Sequence, residues 1–299
     1  MKFIIYGAGA LGSLFGGLLS KKHDVLLIGR KKHIEAIRKN GLKIEGITNE
    51  VFHPKTVWDK SKYDVVLLTT KAYDTKKAVR QIRKKYGKIP VLSLQNGLRN
   101  EEIIAEELGI KYAIGGITSH GATFLQYGRV YHAGRGETII GELNGKITKR
   151  IKKIAEAFNE CGIETKISKE IKKEIWKKVI VNSAINGLTA ILKCKNGELL
   201  RNRHAHMLLK KVCLEGIKVA NAEGFDVGKE IIKKAEEIAK KTANNISSML
   251  QDLLKGKRTE VEEINGEIVK IAKKHGIEAP LNEFLTYAIK AIENVRHLG

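Results

Sequence analysis

Lys178, Asn182 and Asn186 stand four positions apart inside the apolar stretch 176–191. On an α-helix, positions i, i+4 and i+8 share one face and drift by about 40° at each step. Val179, Ile180, Val181, Ile185 and Leu188 mark the same segment for burial. An ammonium and two amides on such a helix cost free energy unless polar groups face them. A single buried asparagine is commonly satisfied by the protein itself, but three polar groups in file, with no carboxylate expected at the matching positions to pair Lys178, point to a small polar ligand. The segment is expected to form one wall of an active site, with an ammonium able to give a proton.

A second signal lies at the start of the chain. Gly7-Ala8-Gly9-Ala10-Leu11-Gly12 follows the apolar run Lys2-Phe-Ile-Ile-Tyr6 and opens a small-residue helix reaching about Ser20. In this G-x-G-x-x-G spacing the first glycine makes the tight turn and the second lets a pyrophosphate approach the backbone. The third lets helix and strand pack closely. The backbone of residues 7–12 is therefore expected to hold a dinucleotide at the helix N-terminus. Past the next strand, 24–28, the chain reads Gly29-Arg30-Lys31-Lys32, where a carboxylate would favour NAD. Arg30 suits a 2′-phosphate, so NADP (as NADPH) is the expected cofactor and NAD the alternative. The plainer reading of Arg30 is a solvated basic helix start.

The elements that must position these residues divide in two. Strands at 2–6, 24–28, 64–68 and 90–94 are continuous apolar runs between helices, as in a parallel sheet covered on both faces. Lys71 and Asn96 follow the last two of these, at the carboxyl ends where open sheets bind ligands. Short strands with glycine turns fill 111–141, then a helix near 148–159 and a strand near 163–167. After Ser168 only helical periodicity remains. The expected fold is an α/β Rossmann-type dinucleotide-binding domain, residues 1–168, followed by an all-α C-terminal domain, residues 169–299.

Composition narrows the function classes. A chain of 299 residues with 42% hydrophobic and 29% charged content suits a globular protein. No apolar run is long enough to cross a bilayer and no leader is evident, so neither a membrane partner nor a signal peptide is expected. Three cysteines lack metal-ligand spacing, which argues for a reduced, cytoplasmic setting and no metal site. The net charge of +22 is dispersed along helices and interleaved with glutamate, so nucleic acid is not an expected partner. A homodimer is compatible with the amphipathic helices of the second half.

Taken in order, the glycine fingerprint, Lys71-Ala72, Gln95-Asn-Gly-Leu98, His120-Gly-Ala-Thr123, the Lys178 helix, Lys195-Asn-Gly-Glu198, Ser247-Ser-Met-Leu-Gln-Asp252 and Arg258-Thr-Glu260 span nearly the whole chain. Together they resemble the ketopantoate reductases, 2-dehydropantoate 2-reductases of pantothenate and coenzyme A synthesis. The resemblance implies a Rossmann domain and a helical domain with the active site in the cleft between them. It implies Lys178 as general acid, with Glu260 completing the site near cofactor and substrate. It places Asn96 between nicotinamide and substrate, and brings the backbone of Ala122 to the cofactor. It assigns Asn182, Asn186, Asn196 and Ser248 to the substrate, 2-dehydropantoate, with Asn244 and Asn245 contributing to its carboxylate. Two positions depart from the family pattern. Gly187 stands where a proline is common after the second helix amide, and Gln126-Tyr-Gly128 lacks the usual Pro-Gly.

Two rivals make different demands. A β-hydroxyacid dehydrogenase also puts a lysine and an asparagine one turn apart on such a helix, but does not account for Asn186, Ser248 and Glu260. A basic nucleic-acid-binding or cofactor-sensing protein without turnover would bind nucleic acid with steep salt dependence.

Overall fold

The computed structural model describes residues 1–59 and 61–295. Residues 296–299, assigned above to the helical half, lie outside the described residues. The chain divides into two compact units, Met1–Gln95 with Asn100–Glu174, and Asn96–Arg99 with Ile175–Gly299.

The first unit runs β1 (Lys2–Tyr6), α1 (Ala10–Leu19), β2 (Asp24–Ile28), α2 (Lys31–Asn40), β3 (Leu42–Gly46), β4 (Glu50–Phe52), β5 (Val65–Leu68), α3 (Thr75–Tyr86), β6 (Val91–Ser93) and α4 (Asn100–Leu108). It continues through β7 (Ala113–Thr118), β8 (Gly121–Gln126), β9 (Arg129–Gly134), β10 (Thr138–Glu142), α5 (Lys149–Glu160) and β11 (Thr165–Ile167). Seven strands form one sheet in the order β11-β10-β7-β6-β5-β1-β2. From β2 to β7 every pairing is parallel. The parallel sheet expected of the strands near 2–6, 24–28, 64–68 and 90–94 is found, while β10, from the region of short strands and glycine turns, runs antiparallel to β7. Between those two strands the chain makes the β8–β9 hairpin, whereas a parallel neighbour needs a crossover connection.

The strand sequences are continuously apolar because both faces of the sheet are covered. Phe3, Ile5, Val25, Leu27 and Leu67 point into one core with Leu14, Phe15 and Phe158. Ile4, Leu26, Val66 and Leu68 enter the other with Val79, Ile82 and Ile104. Each such side chain, fully buried, stabilises by about 1.5–3 kcal/mol. A second sheet, β4-β3-β9-β8, packs on α1. The sequence reading did not find β3 and β4. β4 is only three residues long, and β3 draws its parallel partner, β9, from far along the chain, with Lys43 paired to Arg129.

The second unit takes up α6 (Ile171–Leu192) just after its first turn. It continues with α7 (Glu198–Arg201), α8 (Arg203–Ala222), α9 (Glu230–Lys241) and α10 (Ser248–Leu254). A π-helical segment, Glu262–Gly266, runs directly into α11 (Glu267–Lys274), and α12 (Pro280–Asn294) closes the fold. Local signals set the starts: the Asn202 side chain accepts from the backbone of His204 and Ala205, Ser247 caps α10, and Pro280 opens α12. No strand follows β11 among the described residues. The α6 helix is apolar on most sides because α8 packs close to it. A Cβ at Gly216 of α8 would lie 2.9 Å from Ile180. No helix among the described residues is long and apolar enough to cross a membrane.

Candidate active site

In the first unit the glycine turn is shaped by contacts that only hydrogen satisfies. Gly7 has φ of 115°, and a Cβ there would meet the Thr70 backbone nitrogen at 2.6 Å. A Cβ on Gly12 would strike the Gly7 carbonyl and come within 2.5 Å of Thr69 Oγ1. Gly9 is different: an added Cβ would come no closer than 4.0 Å to its nearest neighbour, the Gly7 carbonyl, so its surface is open. Gly9 caps α1, whose first turn holds no acidic residue. With Ala10 and Leu11 half-buried beside it, the turn presents an N-terminus suited to an anion. Gly7 and Ala8 both donate backbone N–H groups to the Ile28 carbonyl, which fixes the turn against β2.

The turn sits at the C-terminal ends of β1 and β5, where the strand order reverses. Thr69 Oγ1 donates to the Gly7 carbonyl at 2.9 Å, locking the two strand ends together. Gln95, buried at the end of β6, donates from Nε2 to the carbonyl of Thr70 at 2.9 Å and to Thr75 Oγ1 at 2.9 Å. It thereby braces the loop that carries Lys71. Lys71 is half-buried, and Ala122 is half-buried on β8 beside a register shift. Arg30 is exposed at the start of α2 and enters no ion pair among the described residues. Beside it, Ile28, Gly29, Ile34, Thr56, Trp58 and Lys85 line an open hollow. Nothing in the sequence pattern singled out Trp58 or Lys85.

Two histidines of this unit are held neutral. Burial, and then the charge of Arg30, bring His33 down to about 4. Its Nδ1 accepts from the Gly128 N–H, leaving Nε2 to donate to Ser13 Oγ at 3.0 Å. Burial, then His132 and Arg135, bring His120 down to about 4. It stands in the turn that leads to Ala122.

In the second unit α6 carries Lys178 and Asn182 half-buried and Asn186 buried. The i, i+4 file extends back to Glu174, one turn before Lys178, which corrects the expectation that no carboxylate stands at the matching positions. Asn96 Nδ2 donates to the Glu260 carboxylate at 3.2 Å, and Glu260 is buried. Gly97, with φ of 100°, lets this turn press on the π-helical segment; a Cβ there would lie 2.8 Å from the Glu263 carbonyl. Two residues placed far apart in sequence are thus brought together. Burial pushes Glu263 up to about 6, against the opposing pull of its backbone hydrogen bond and of Arg258.

Asn196 donates its backbone N–H to the Asn245 carbonyl at 3.0 Å and its Nδ2 to Thr242 Oγ1 at 2.8 Å. Asn196 Oδ1 is buried with no protein donor among the described residues. Asn244, Asn245 and Ser248 are exposed. Ser247 rather than Ser248 is the buried member of the pair, capping α10 and receiving the Thr189 hydroxyl of α6 at 2.7 Å. Sequence reasoning missed Thr189 and Ser247, although a Ser-Ser pair before a helix is itself a cap signal.

A family model described as ketopantoate reductase PanE/ApbA matches residues 3–145, and its C-terminal counterpart matches residues 170–293. The chain belongs to the ketopantoate reductase family. It is 43% identical to a 2-dehydropantoate 2-reductase of Pyrococcus horikoshii, covering 99% of this chain and 98% of that protein. Among solved structures, a PanE/ApbA family ketopantoate reductase from Ralstonia eutropha JMP134 has TM-score 0.90 at 32% identity, covering 98% of this chain and 99% of that one. D-mandelate dehydrogenase in a ternary structure with NADH and anilino(oxo)acetate has TM-score 0.93 at 31% identity, with the same coverage.

Proposed function

We propose that this chain reduces 2-dehydropantoate to (R)-pantoate with NADPH. The observation that carries the reading is the end-to-end likeness to a 2-dehydropantoate 2-reductase, in a chain whose α6 keeps Lys178, Asn182 and Asn186 in file. The open surface at Gly9 and the acid-free start of α1 fit a dinucleotide diphosphate, and exposed Arg30 fits a 2′-phosphate. Gly7, Ala8, Gly9, Ala10, Leu11 and Gly12 would hold the diphosphate, with Lys71, Asn96, Ala122 and Glu260 toward the nicotinamide end.

When bound, the reduced nicotinamide supplies a hydride to the C2 carbonyl carbon. Lys178 holds the ketone oxygen and gives it a proton as negative charge builds there. Asn182 and Asn186 both donate and accept, which suits a hydroxyl beside a ketone. Asn96 orients Glu260 through their hydrogen bond, so the two act as one unit. Asn196, Asn244, Asn245 and Ser248 take the remaining substrate oxygens. A cytoplasmic setting fits three cysteines that are all free.

A second reading keeps the chemistry and changes the substrate. The D-mandelate dehydrogenase neighbour favours an aryl 2-oxo acid with NADH. Steady-state turnover with 2-dehydropantoate and with phenylglyoxylate, each with NADPH and NADH, separates the two. Preference for phenylglyoxylate or for NADH would remove the corresponding part of the first reading.

A further inference from the structure

Behind the α6 wall lies a buried amide to which the reaction assigns nothing. Asn265 is 0% exposed and sits in the π-helical segment Glu262–Gly266. Its Nδ2 donates to the Ser183 carbonyl at 3.1 Å and to Asn282 Oδ1 at 3.0 Å. Asn282 is also 0% exposed and is itself anchored: its Nδ2 donates to Glu215 Oε2 at 2.8 Å and its backbone N–H to the same oxygen at 2.9 Å. The Asn265 amide is thus aimed by a second buried amide.

Ser183 follows Asn182 directly and precedes Asn186 by less than one helical turn. The carbonyl held by Asn265 therefore belongs to the turn that presents both substrate-facing amides. A carbonyl oxygen has two lone pairs, so the side chain adds to the helical hydrogen bond without displacing it. Gly187 lies beside this contact, and an added Cβ would touch Asn265 only at ordinary van der Waals distance and press on Leu285. A Cβ there would lie 3.5 Å from Asn265 Nδ2 and 3.1 Å from Leu285 Cδ1. Upstream, the Ile264 N–H donates to the Glu260 carbonyl at 3.0 Å, tying the same segment to Glu260. A π-helical turn holds one more residue than an α-turn, so it re-aims the side chains that follow, and such turns recur at functional sites.

We propose that Asn265 is a positioning residue for the reduction. By holding the Ser183 carbonyl it fixes the rotation of α6, and with it the direction of Lys178, Asn182 and Asn186 relative to Glu260. Packing alone would favour leucine, because Asn265 Oδ1 has no protein donor among the described residues and a buried acceptor left unmade is costly. The inference rests on the reading of α6 as the substrate wall, so wild-type turnover is measured first; its absence defeats that reading itself.

The test compares Asn265→Leu with Leu209→Ala, a buried change on α8 that lowers stability without removing the Asn265 amide. Asn265→Leu should lower kcat/KM for 2-dehydropantoate by about a hundredfold, with kcat falling as well as KM rising and NADPH affinity unmoved. Leu209→Ala should lower Tm and leave kcat/KM unchanged. Wild-type kinetics in Asn265→Leu, or an equal kinetic loss in Leu209→Ala, would overturn the proposal. Should Asn265→Leu not fold, Asn265→Ser carries the same comparison, because its hydroxyl is too short to reach the Ser183 carbonyl.

Discussion

At Lys178 the proposed reduction needs a proton that the neighbouring amides do not give. Asn182 and Asn186 can orient an oxygen but hold their protons too tightly to transfer them. Lys178→Ala should therefore lower kcat by about two to four orders of magnitude while NADPH binding persists, as read by single-turnover kinetics and cofactor titration. Near wild-type turnover in this variant would end its role as acid. The proposed preference for NADPH likewise rests on a single residue, Arg30. It is exposed and enters no ion pair among the described residues, so a 2′-phosphate would meet an uncommitted guanidinium. Arg30→Ala should raise the Kd for NADPH by about tenfold or more and leave that for NADH nearly unchanged. Equal losses for both cofactors would place the 2′-phosphate elsewhere. The file 178–182–186 was legible because helical spacing is a property of sequence alone. The Asn96–Glu260 hydrogen bond was not, since no periodicity connects a turn after β6 with a segment so far downstream.

Among elements, the glycine turn separates two effects that the motif blends. Gly12 is needed for packing, because a Cβ there would strike the Gly7 carbonyl and crowd Thr69 Oγ1. Gly9 faces open space, so only the proposed dinucleotide would require hydrogen there. Gly9→Ala should keep a Tm close to wild type and weaken NADPH binding by about tenfold or more. Gly12→Ala should lose both binding and stability, by about 1–3 kcal/mol as expected for overpacking. Thermal melts with and without NADPH check both; a Gly9→Ala protein as unstable as Gly12→Ala would contradict the division. The π-helical segment was invisible to pattern reading. Val261, Ile264 and Ile268 are buried along it, at spacings that an ordinary helix also shows.

Across the whole molecule, titrating groups are unevenly shared. His33 and His120 sit at about 4 in the first unit, and His132 is also held down by burial. A base whose folded pKa lies below its unfolded value binds fewer protons when folded. Its contribution is present above the unfolded value near 6.5 and is lost as pH falls toward about 4. Glu263 in the second unit has the opposite sign. An acid raised to about 6 is destabilising when ionised, and that cost is relieved as pH falls through the same range. Acidification from pH 7 to 5 should therefore weaken the first unit more than the second. The two tryptophans report them separately, Trp58 in the first unit and Trp176 in the second. Single-tryptophan proteins, Trp176→Phe and Trp58→Phe, should show a larger drop in Tm at Trp58 than at Trp176. Equal shifts would mean that the buried histidines do not set the acid response.

By itself the sequence determined the fold class and the identity of the chemically capable residues. Apolar runs and helical periods are local, and the glycine spacing answers to one turn of backbone. Tertiary structure decided which of those residues meet. It reversed β10 through a hairpin, recruited β3 and β4 into a second sheet, and seated Asn96 on Glu260. It also set Asn265 against the Ser183 carbonyl beneath Gly187, giving that glycine a neighbour the sequence could not supply. Such pairings depend on close approach between segments remote along the chain, and close approach is settled only when the core packs.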